Sequence, residues 1–151
     1  IVADATLIFL RAEDTVAEQG FTLEVLRATI SQVETETGQQ LGAILARKVT
    51  AFGTYSAATP TPHTIGGAVS GITGATDGTA GTAGTDATAE GAGATTAFHD
   101  EGFDNRNGWL WVPTEAERPV LMDGEAIVVQ IRGTPSTLTG WSATLTFREI
   151  A

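Results

Sequence analysis

The clearest pattern of apolar and polar positions lies in the last third of the chain. Over residues 141–148, apolar residues occupy one parity and serine, threonine or arginine the other. A period of two with one apolar face is typical of a β-strand that turns one side to a core. The segment Ala126–Arg132 is rich in β-branched residues, and a shorter apolar run at 109–112 stops at Pro113. We predict three strands here, separated by turns rich in glycine and proline.

The N-terminal half shows a similar but less regular pattern. Residues 6–10 are predicted to form a strand. In the segment 21–32 the apolar residues change parity midway: Phe21, Leu23 and Val25 precede Leu26, Ala28 and Ile30. Such a switch within one strand predicts a β-bulge. A helix is the alternative for this segment and for the next predicted strand at 41–52, but recurring threonine and isoleucine favour strands.

The middle of the chain has a different composition. Between residues 71 and 96, 22 of 26 residues are glycine, alanine or threonine. A segment so poor in large side chains cannot build a core of its own. We predict an extended loop here, part of an insertion at about 54–97 in a single domain of residues 1–151. We also expect a chain that lacks residues 70–95 to fold.

Composition and charge narrow the classes of partner and of chemistry. The 151 residues include 18 acidic and 8 basic side chains, for a formal net charge of −10, and no cysteine. An acidic surface repels phosphate backbones, so we predict no nucleic-acid partner. No apolar run approaches the roughly 20 residues that span a bilayer, so we predict no membrane partner. Without cysteine, disulfides, thiolate nucleophiles and cysteine-based metal sites are excluded.

The sequence offers little catalytic chemistry. The two histidines are His63, which follows a Pro-Thr-Pro segment, and His99, which precedes Asp100 and Glu101. Adjacent residues of a strand point to opposite faces, so this His-Asp-Glu run does not converge on one ion. Nucleotide-binding loops and nucleophile elbows are absent from the sequence. We predict no catalytic residue, no metal, no cofactor and no enzymatic activity. The remaining enzymatic alternative is a hydrolase with two convergent carboxylates from residues 100–125.

Trp109 and Trp111 have two interpretations. They share one face of the short strand predicted at 109–112. We prefer core packing, because large aromatic side chains contribute most to burial. The alternative is an exposed platform that stacks against a glycan.

Residues 98–119 carry a set of short motifs that lead into the strand at 126–132 and a final segment at 140–149. The motif residues are Phe103, Gly108-Trp109, Pro113-Thr114, Glu117 and Arg118-Pro119. This block resembles one in a family of small, largely uncharacterised proteins encoded among tailed-phage and prophage structural genes. Two positions depart from that pattern: Asp104 stands where asparagine is usual, and Ala116 interrupts a Pro-Thr-Pro-Glu turn. The resemblance implies a virion structural role and a jelly-roll-like sandwich, with no catalytic residues.

Together these observations predict an all-β protein, an antiparallel, jelly-roll-like β-sandwich with a long Gly/Ala/Thr-rich loop. We expect a non-enzymatic phage virion structural protein, most simply a capsid decoration or cement protein on the outer capsid surface. Its expected partners are the major capsid protein or other virion proteins, and we favour a homo-oligomer, specifically a trimer. The alternative is a carbohydrate-binding sandwich associated with a tail, fibre or vertex.

The predicted interface lies in the loop, where threonine and small apolar residues suit close packing against a neighbour. Its candidate residues are Thr61, His63, Ile65, Val69, Ile72, Thr79, Thr82 and Thr85.

Overall fold

A computed structural model describes residues 5–12, 22–33, 37–79, 81–133, 135 and 140–150. Within these residues the chain forms eleven β-strands and one 3₁₀ turn, Glu115–Glu117. The strands are β1 (Ala5–Arg11), β2 (Thr22–Gln32), β3 (Gln40–Lys48), β4 (Thr54–Ala57), β5 (Thr73–Gly74), β6 (Thr82–Ala89), β7 (Thr95–Asp104), β8 (Trp109–Trp111), β9 (Val120–Leu121), β10 (Ala126–Arg132) and β11 (Trp141–Ile150).

The strands form two sheets of unequal width. The large sheet has the order β4-β6-β1-β10-β3-β7, and β5 adds to β6 as a parallel pair. The small sheet has the order β11-β2-β8, and β9 pairs with β2 beside β8. All other pairs of described strands are antiparallel, and the chain passes repeatedly from one sheet to the other. The predicted all-β, antiparallel sandwich is therefore confirmed.

The main core lies between the two sheets. The large sheet contributes the inner faces of β1, β3 and β10, and the small sheet contributes those of β2 and β8. Its fully or almost fully buried side chains include Leu10, Leu23, Val25, Ile30, Leu45, Trp109, Ile127 and Val129. The apolar parity predicted for 141–147 also faces this core, where Trp141, Ala143, Leu145 and Phe147 are partly buried.

Strand β2 contains the bulge that its change of parity predicts. Opposite β11, Arg27 pairs with Thr146 and Val25 pairs with Phe147, so Leu26 has no partner across the ladder. The extra residue shifts the parity, so that Val25 and Ala28 both face the core. The helical alternatives for 21–32 and 41–52 are wrong, although Phe21 itself lies outside the described residues. The predicted strand at 41–52 ends earlier, at Lys48.

The prediction of one extended loop over 71–96 is wrong. Eight of its 26 residues form β6, whose backbone pairs with β1 on one side and with β4 on the other. A strand within a sheet needs backbone partners more than large side chains, and its neighbours supply the core. At Gly84 a Cβ atom would lie 2.5 Å from the Cβ of Tyr55, so the small residue is required for this close packing. The long connection that does exist is shorter, at 58–72.

The same finding corrects the expectation that a chain without residues 70–95 folds. That deletion removes β5 and all of β6, and it leaves β1 without one of its two hydrogen-bonded neighbours. It also removes Ile72, which is fully buried in the main core.

A second apolar cluster covers the outer face of the large sheet. It consists of Phe9, Ile44, Ala46, Tyr55, Ala126 and Val128, with Phe52 and Ala87 against it. The ring of Tyr55 stacks on that of Phe9 with a centroid distance of 4.4 Å. The guanidinium of Arg11 lies 4.3 Å from the centre of the Phe52 ring. Strand β10 is therefore buried on both faces, which explains its run of apolar residues without alternation.

A buried polar network borders this outer cluster. The Glu90 carboxylate accepts hydrogen bonds from the Thr6 amide at 2.7 Å and the Thr6 hydroxyl at 2.5 Å. Gln130 donates to the same hydroxyl at 3.0 Å, and the Lys48 ammonium donates to the Glu90 carbonyl. Burial lowers the pKa of Lys48, and the neighbouring Glu90 carboxylate opposes that shift. The network ties the connection after β6 to β1, β3 and β10.

Replacing Gly84 with alanine tests the packing of β6. Because the new Cβ would overlap Tyr55, we expect Gly84→Ala to lower the free energy of unfolding by about 1–3 kcal/mol, measured by urea denaturation at unchanged slope. The control is Gly102→Ala, where the nearest atom to the new Cβ lies 3.8 Å away, and we expect a change within about 0.5 kcal/mol. Equal stability of the two variants would contradict the described packing.

The single tyrosine of the chain gives a test of the outer cluster. Burial raises the pKa of Tyr55 well above its ordinary value, and the charge of Glu90 adds to the effect. An ultraviolet titration should therefore show no phenolate near pH 10, where an unfolded tyrosine ionises. The raised pKa of Tyr55 stabilises the folded state fully below about pH 10, where the tyrosine is protonated in both states. At higher pH the unfolded chain loses the phenol proton first, so this stabilisation decreases. Phenolate formation near pH 10 in the folded protein would show that Tyr55 is accessible.

Candidate functional site

The connection between β4 and β5 presents the most exposed apolar side chains of the described structure. Ile65 has a relative exposure of 102% and Val69 of 82%. Thr61 and His63, also predicted as interface residues, are exposed in the same segment. We call residues 58–70 the proline loop, after Pro60 and Pro62.

The proline loop is fixed at its end. The Ser70 hydroxyl hydrogen-bonds to the Glu149 carboxylate on β11, and the Gly71 amide donates to its other oxygen at 3.2 Å. The Ile72 amide donates to the Ser70 hydroxyl at 3.0 Å, and the Ile72 side chain is fully buried in the main core. The C-terminal end of the loop is thus held against β11 and the main core.

The other predicted interface residues do not share this surface. Ile72 and Thr82 are buried, with relative exposures of 0% and 5%, so neither side chain is available to a partner. The Thr82 hydroxyl instead donates to the carbonyl of Thr79. Thr79 is exposed, and Thr85 is half-buried on β6. The predicted interface therefore reduces to the tip of the proline loop, with Thr79 and Thr85 elsewhere.

A groove of ≈ 820 Å³ lies under the proline loop, between the two sheets. Its floor is formed by β1 and β6, its side by residues 143–147 of β11 and by Leu26, and its roof by the proline loop. The lining includes Ile8, Leu10, Leu145, Phe147 and Val69, so it is largely apolar. A smaller pocket of ≈ 210 Å³ continues along β11, beside Trp141, Leu7 and Asp86.

Sequence reasoning missed this groove, and one signal points to it. Strand β11 is ten residues long, and residues 141–147 contain neither charge nor proline. Such a strand is unusual at the edge of a sheet, where charges and prolines normally prevent further pairing. The fold places it at an edge, which the sequence alone does not show.

Trp109 and Trp111 do not form an exposed pair. Trp109 is 6% exposed and belongs to the main core, while Trp111 is half-buried. The imidazole of His99, on β7, lies 5.9 Å and 5.8 Å from the ring centres of Trp109 and Trp111. This arrangement favours the core interpretation of Trp109 over a glycan platform made of both indoles.

The Glu101 carboxylate connects these aromatic rings to β7. One of its oxygens accepts a hydrogen bond from Trp109 Nε1 at 3.1 Å and lies 3.1 Å from His99 Nε2. The hydrogen bond with His99 is the larger cause, and that with Trp109 the smaller, of a pKa of Glu101 below its ordinary value. Glu101, His99 and the two indoles together lie at one edge of the sandwich, between β7 and β8.

Five of the seven carboxylates of 100–125 have separate structural roles, Glu101 among them. Asp100 pairs with Arg132, and Glu125 pairs with Arg47 at 2.5 Å. Asp104 accepts from the Arg106 amide at 2.9 Å, and Glu117 accepts from the Thr114 hydroxyl at 2.7 Å. Across the described ranges, no group of three or more histidine, aspartate or glutamate side chains is placed to hold a metal ion.

Residues of the segment 98–119, both motif residues and the neighbouring Asn105, organise two connections. Asn105 is 3% exposed; it accepts from the Gln39 amide at 2.8 Å and donates to the Gln32 side chain at 2.8 Å. Gly108 has a φ of +70°, and a Cβ there would lie 2.9 Å from the Ile30 carbonyl oxygen, so glycine is required at this turn.

The second connection is the corner between β8 and β9. Thr114 and Glu117 form a capping box around the 3₁₀ turn. Arg118 forms an ion pair with the buried Glu24 of β2, with a separation of 3.6 Å, and Arg148 of β11 contacts the other Glu24 oxygen. The motif therefore fixes the corner against the outer face of the small sheet.

Comparisons with protein-family models, with curated proteins and with solved structures found no match to this chain. The resemblance to phage structural proteins therefore stays a prediction. The described residues contain no helix that is both long and apolar enough to cross a membrane.

The indole of Trp109 should report the ionisation of Glu101. We expect its N–H resonance to shift as the pH falls, with a midpoint below the ordinary pKa of a glutamate, because protonation weakens the hydrogen bond to Nε1. The step should disappear in Glu101→Gln, and the Trp111 resonance serves as the internal control. A Trp109 resonance that is indifferent to both changes would contradict this contact.

Proposed function

We propose that this protein is a non-enzymatic structural protein of a phage virion, a capsid decoration or cement protein. It attaches to the major capsid protein or to another virion protein through the tip of the proline loop. The observation that carries the proposal is the full exposure of Ile65 and the near-full exposure of Val69 on a loop with a fixed base.

Attachment through this tip is energetically reasonable. Burying an isoleucine or valine side chain contributes roughly 1.5–3 kcal/mol. The hydrogen bonds of Ser70 and Gly71 to Glu149 fix one end of the loop, which reduces the conformational entropy that is lost when the tip binds. A shell presents many equivalent binding sites. When subunits of this protein are linked in an oligomer, a modest affinity at each site gives high overall occupancy of the shell.

The rest of the molecule supports a structural role. Five of the seven carboxylates of 100–125, from which a hydrolase would draw its pair, are engaged in ion pairs, caps and turns. Two of the motif residues that resemble phage proteins, Gly108 and Arg118, lie in the β7–β8 turn and the β8–β9 corner, where they contribute to shape and stability.

A second apolar surface supports self-association. We call it the outer stripe: Leu110, Val112, Val120 and Met122, which are 50–63% exposed. These residues lie on or directly after β8 and β9, at the edge of the small sheet away from β11. Symmetric oligomers bury such patches between identical subunits, and a trimer fits the threefold positions of a shell.

Copy number in purified particles tests the proposed location. Quantitative mass spectrometry of particles from the source of the protein should give a simple ratio to the most abundant shell protein, such as one to one or one to three. A few to a few dozen copies would place the protein in a tail, fibre or vertex instead, and its absence would contradict a virion role.

A double variant tests the attachment surface. We expect Ile65→Asp with Val69→Asp to lower binding to particles that lack the protein by at least about 100-fold, because two buried apolar contacts are worth about 3 kcal/mol or more. The fold should be unaffected, since both side chains are exposed.

The matched control is Val33→Asp, at another exposed valine, 78% accessible at the end of β2. This variant should bind like the original protein. Unchanged binding of the double variant, or equal loss in the control, would contradict attachment through the tip of the proline loop.

A further inference from the structure

The two sheets end at different places on one side of the sandwich. The large sheet continues past β1 with β6 and β4, whereas β11 is the last strand on this side of the small sheet in the part of the chain that the structure describes. The groove lies where a further strand of the small sheet would cover β1 and β6. Its floor is formed by Ile8, Leu10 and Ala83, which lie on the inner face of the large sheet.

The adjoining edge of β11 is open to pairing. Among the described strands, β11 pairs with β2 alone, and its residues 143–149 border the groove. At about 3.3 Å per residue, these seven residues give an edge of roughly 23 Å. Residues 143–147 carry none of the charges or prolines that usually protect an edge.

We propose that this groove receives one extended arm of a partner protein, which pairs with the free edge of β11 as an added strand. Backbone hydrogen bonds to β11 would give affinity, and alternate side chains of the arm would fill the apolar floor. The groove and the edge follow from the fold. The inference rests on the proposed function only for the source of the arm, a neighbouring virion protein.

A second copy of the whole sandwich does not fit this position. If the β11 edges of two copies paired, the large sheets of both copies would lie on the same side of the joined small sheets. Each large sheet would then extend past the β11 edge into the space of the other. Strands are spaced about 4.8 Å apart, so β6 and β4 would each extend the overlap by one such spacing. A single strand without a sheet behind it avoids this collision.

The lining also defines the chemistry of the arm. The floor requires apolar residues at every second position, and the opposite positions point toward the proline loop and the solvent beyond it. Asp86 lies at the Trp141 end and Glu149 at the other end of β11, and the formal net charge of the protein is −10. The arm is therefore basic at its ends and alternates apolar and polar residues between them.

A synthetic peptide provides the probe, with the isolated full-length protein as the receptor. The peptide is acetylated, has four Val-Thr repeats, and carries one lysine at each end. At a peptide concentration about ten times its dissociation constant, we expect amide exchange at the free edge of β11 to slow about tenfold. NMR detects the slowing residue by residue.

Two protein variants and two peptide variants give the controls. Thr85→Trp fills the groove floor and should abolish the slowing, whereas Thr88→Trp, on the exposed part of β6, should preserve it. A peptide with a central proline lacks a backbone donor and should not bind, which keeps the test valid even if Thr85→Trp fails to fold. A peptide with glutamate at both ends should bind at least tenfold more weakly.

The following results would overturn the proposal. One is the absence of slowing at β11 with the lysine-ended peptide. Another is equal binding of the proline or glutamate peptides. A third is protection of β11 that grows with protein concentration alone, which would assign the edge to a second copy. The peptide assay contains no particles, so its outcome is independent of the copy-number measurement. If the peptide binds but the protein is absent from purified virions, the proposed function is contradicted and the proposed groove chemistry still holds.

Discussion

The backbone pairing of β6 with β1 and β4 is the interaction on which the rest of the structure depends. It widens the large sheet beyond the small one, and it positions Tyr55 over Phe9 on the outer face. It also forms part of the floor of the groove and determines where the proline loop begins and ends. Glycine, alanine and threonine make this possible, because larger side chains at Gly84 would collide with Tyr55.

The sequence predicts those strands whose side chains alternate against a core. Strand β11 and the β2 bulge follow from the parity of apolar residues, since one buried face imposes a period of two. Strands β8 and β10 follow instead from short runs of apolar residues that end at a proline or a glycine. Prediction from the sequence fails at β6, because few of its side chains are large enough to show a pattern of apolar and polar positions. This strand is specified instead by backbone pairing with distant segments. The sequence also fails to show that β10 is buried twice, because that depends on Phe52 and Tyr55 crossing the outer face.

The candidate site is predictable only in part. Composition and proline spacing identify a loop that exposes Ile65 and Val69, but they do not separate these from the buried Ile72 and Thr82, which are close in sequence. Likewise, Trp109 and Trp111 share a strand face, and only the position of β7 shows that His99 and Glu101 cover them. The groove is a property of strand order: its walls come from β1, β6 and β11, far apart in the chain.

Amide hydrogen exchange of residues 82–89, resolved residue by residue, tests the central claim most directly. If β6 is an integral strand, its hydrogen-bonded amides should exchange as slowly as those of β1 and within tenfold of the central strand β10. Exchange at the rate of the exposed proline loop would mean that the Gly/Ala/Thr-rich segment is not part of the sheet. The asymmetric sandwich, its groove and the anchored loop would then lose their common basis.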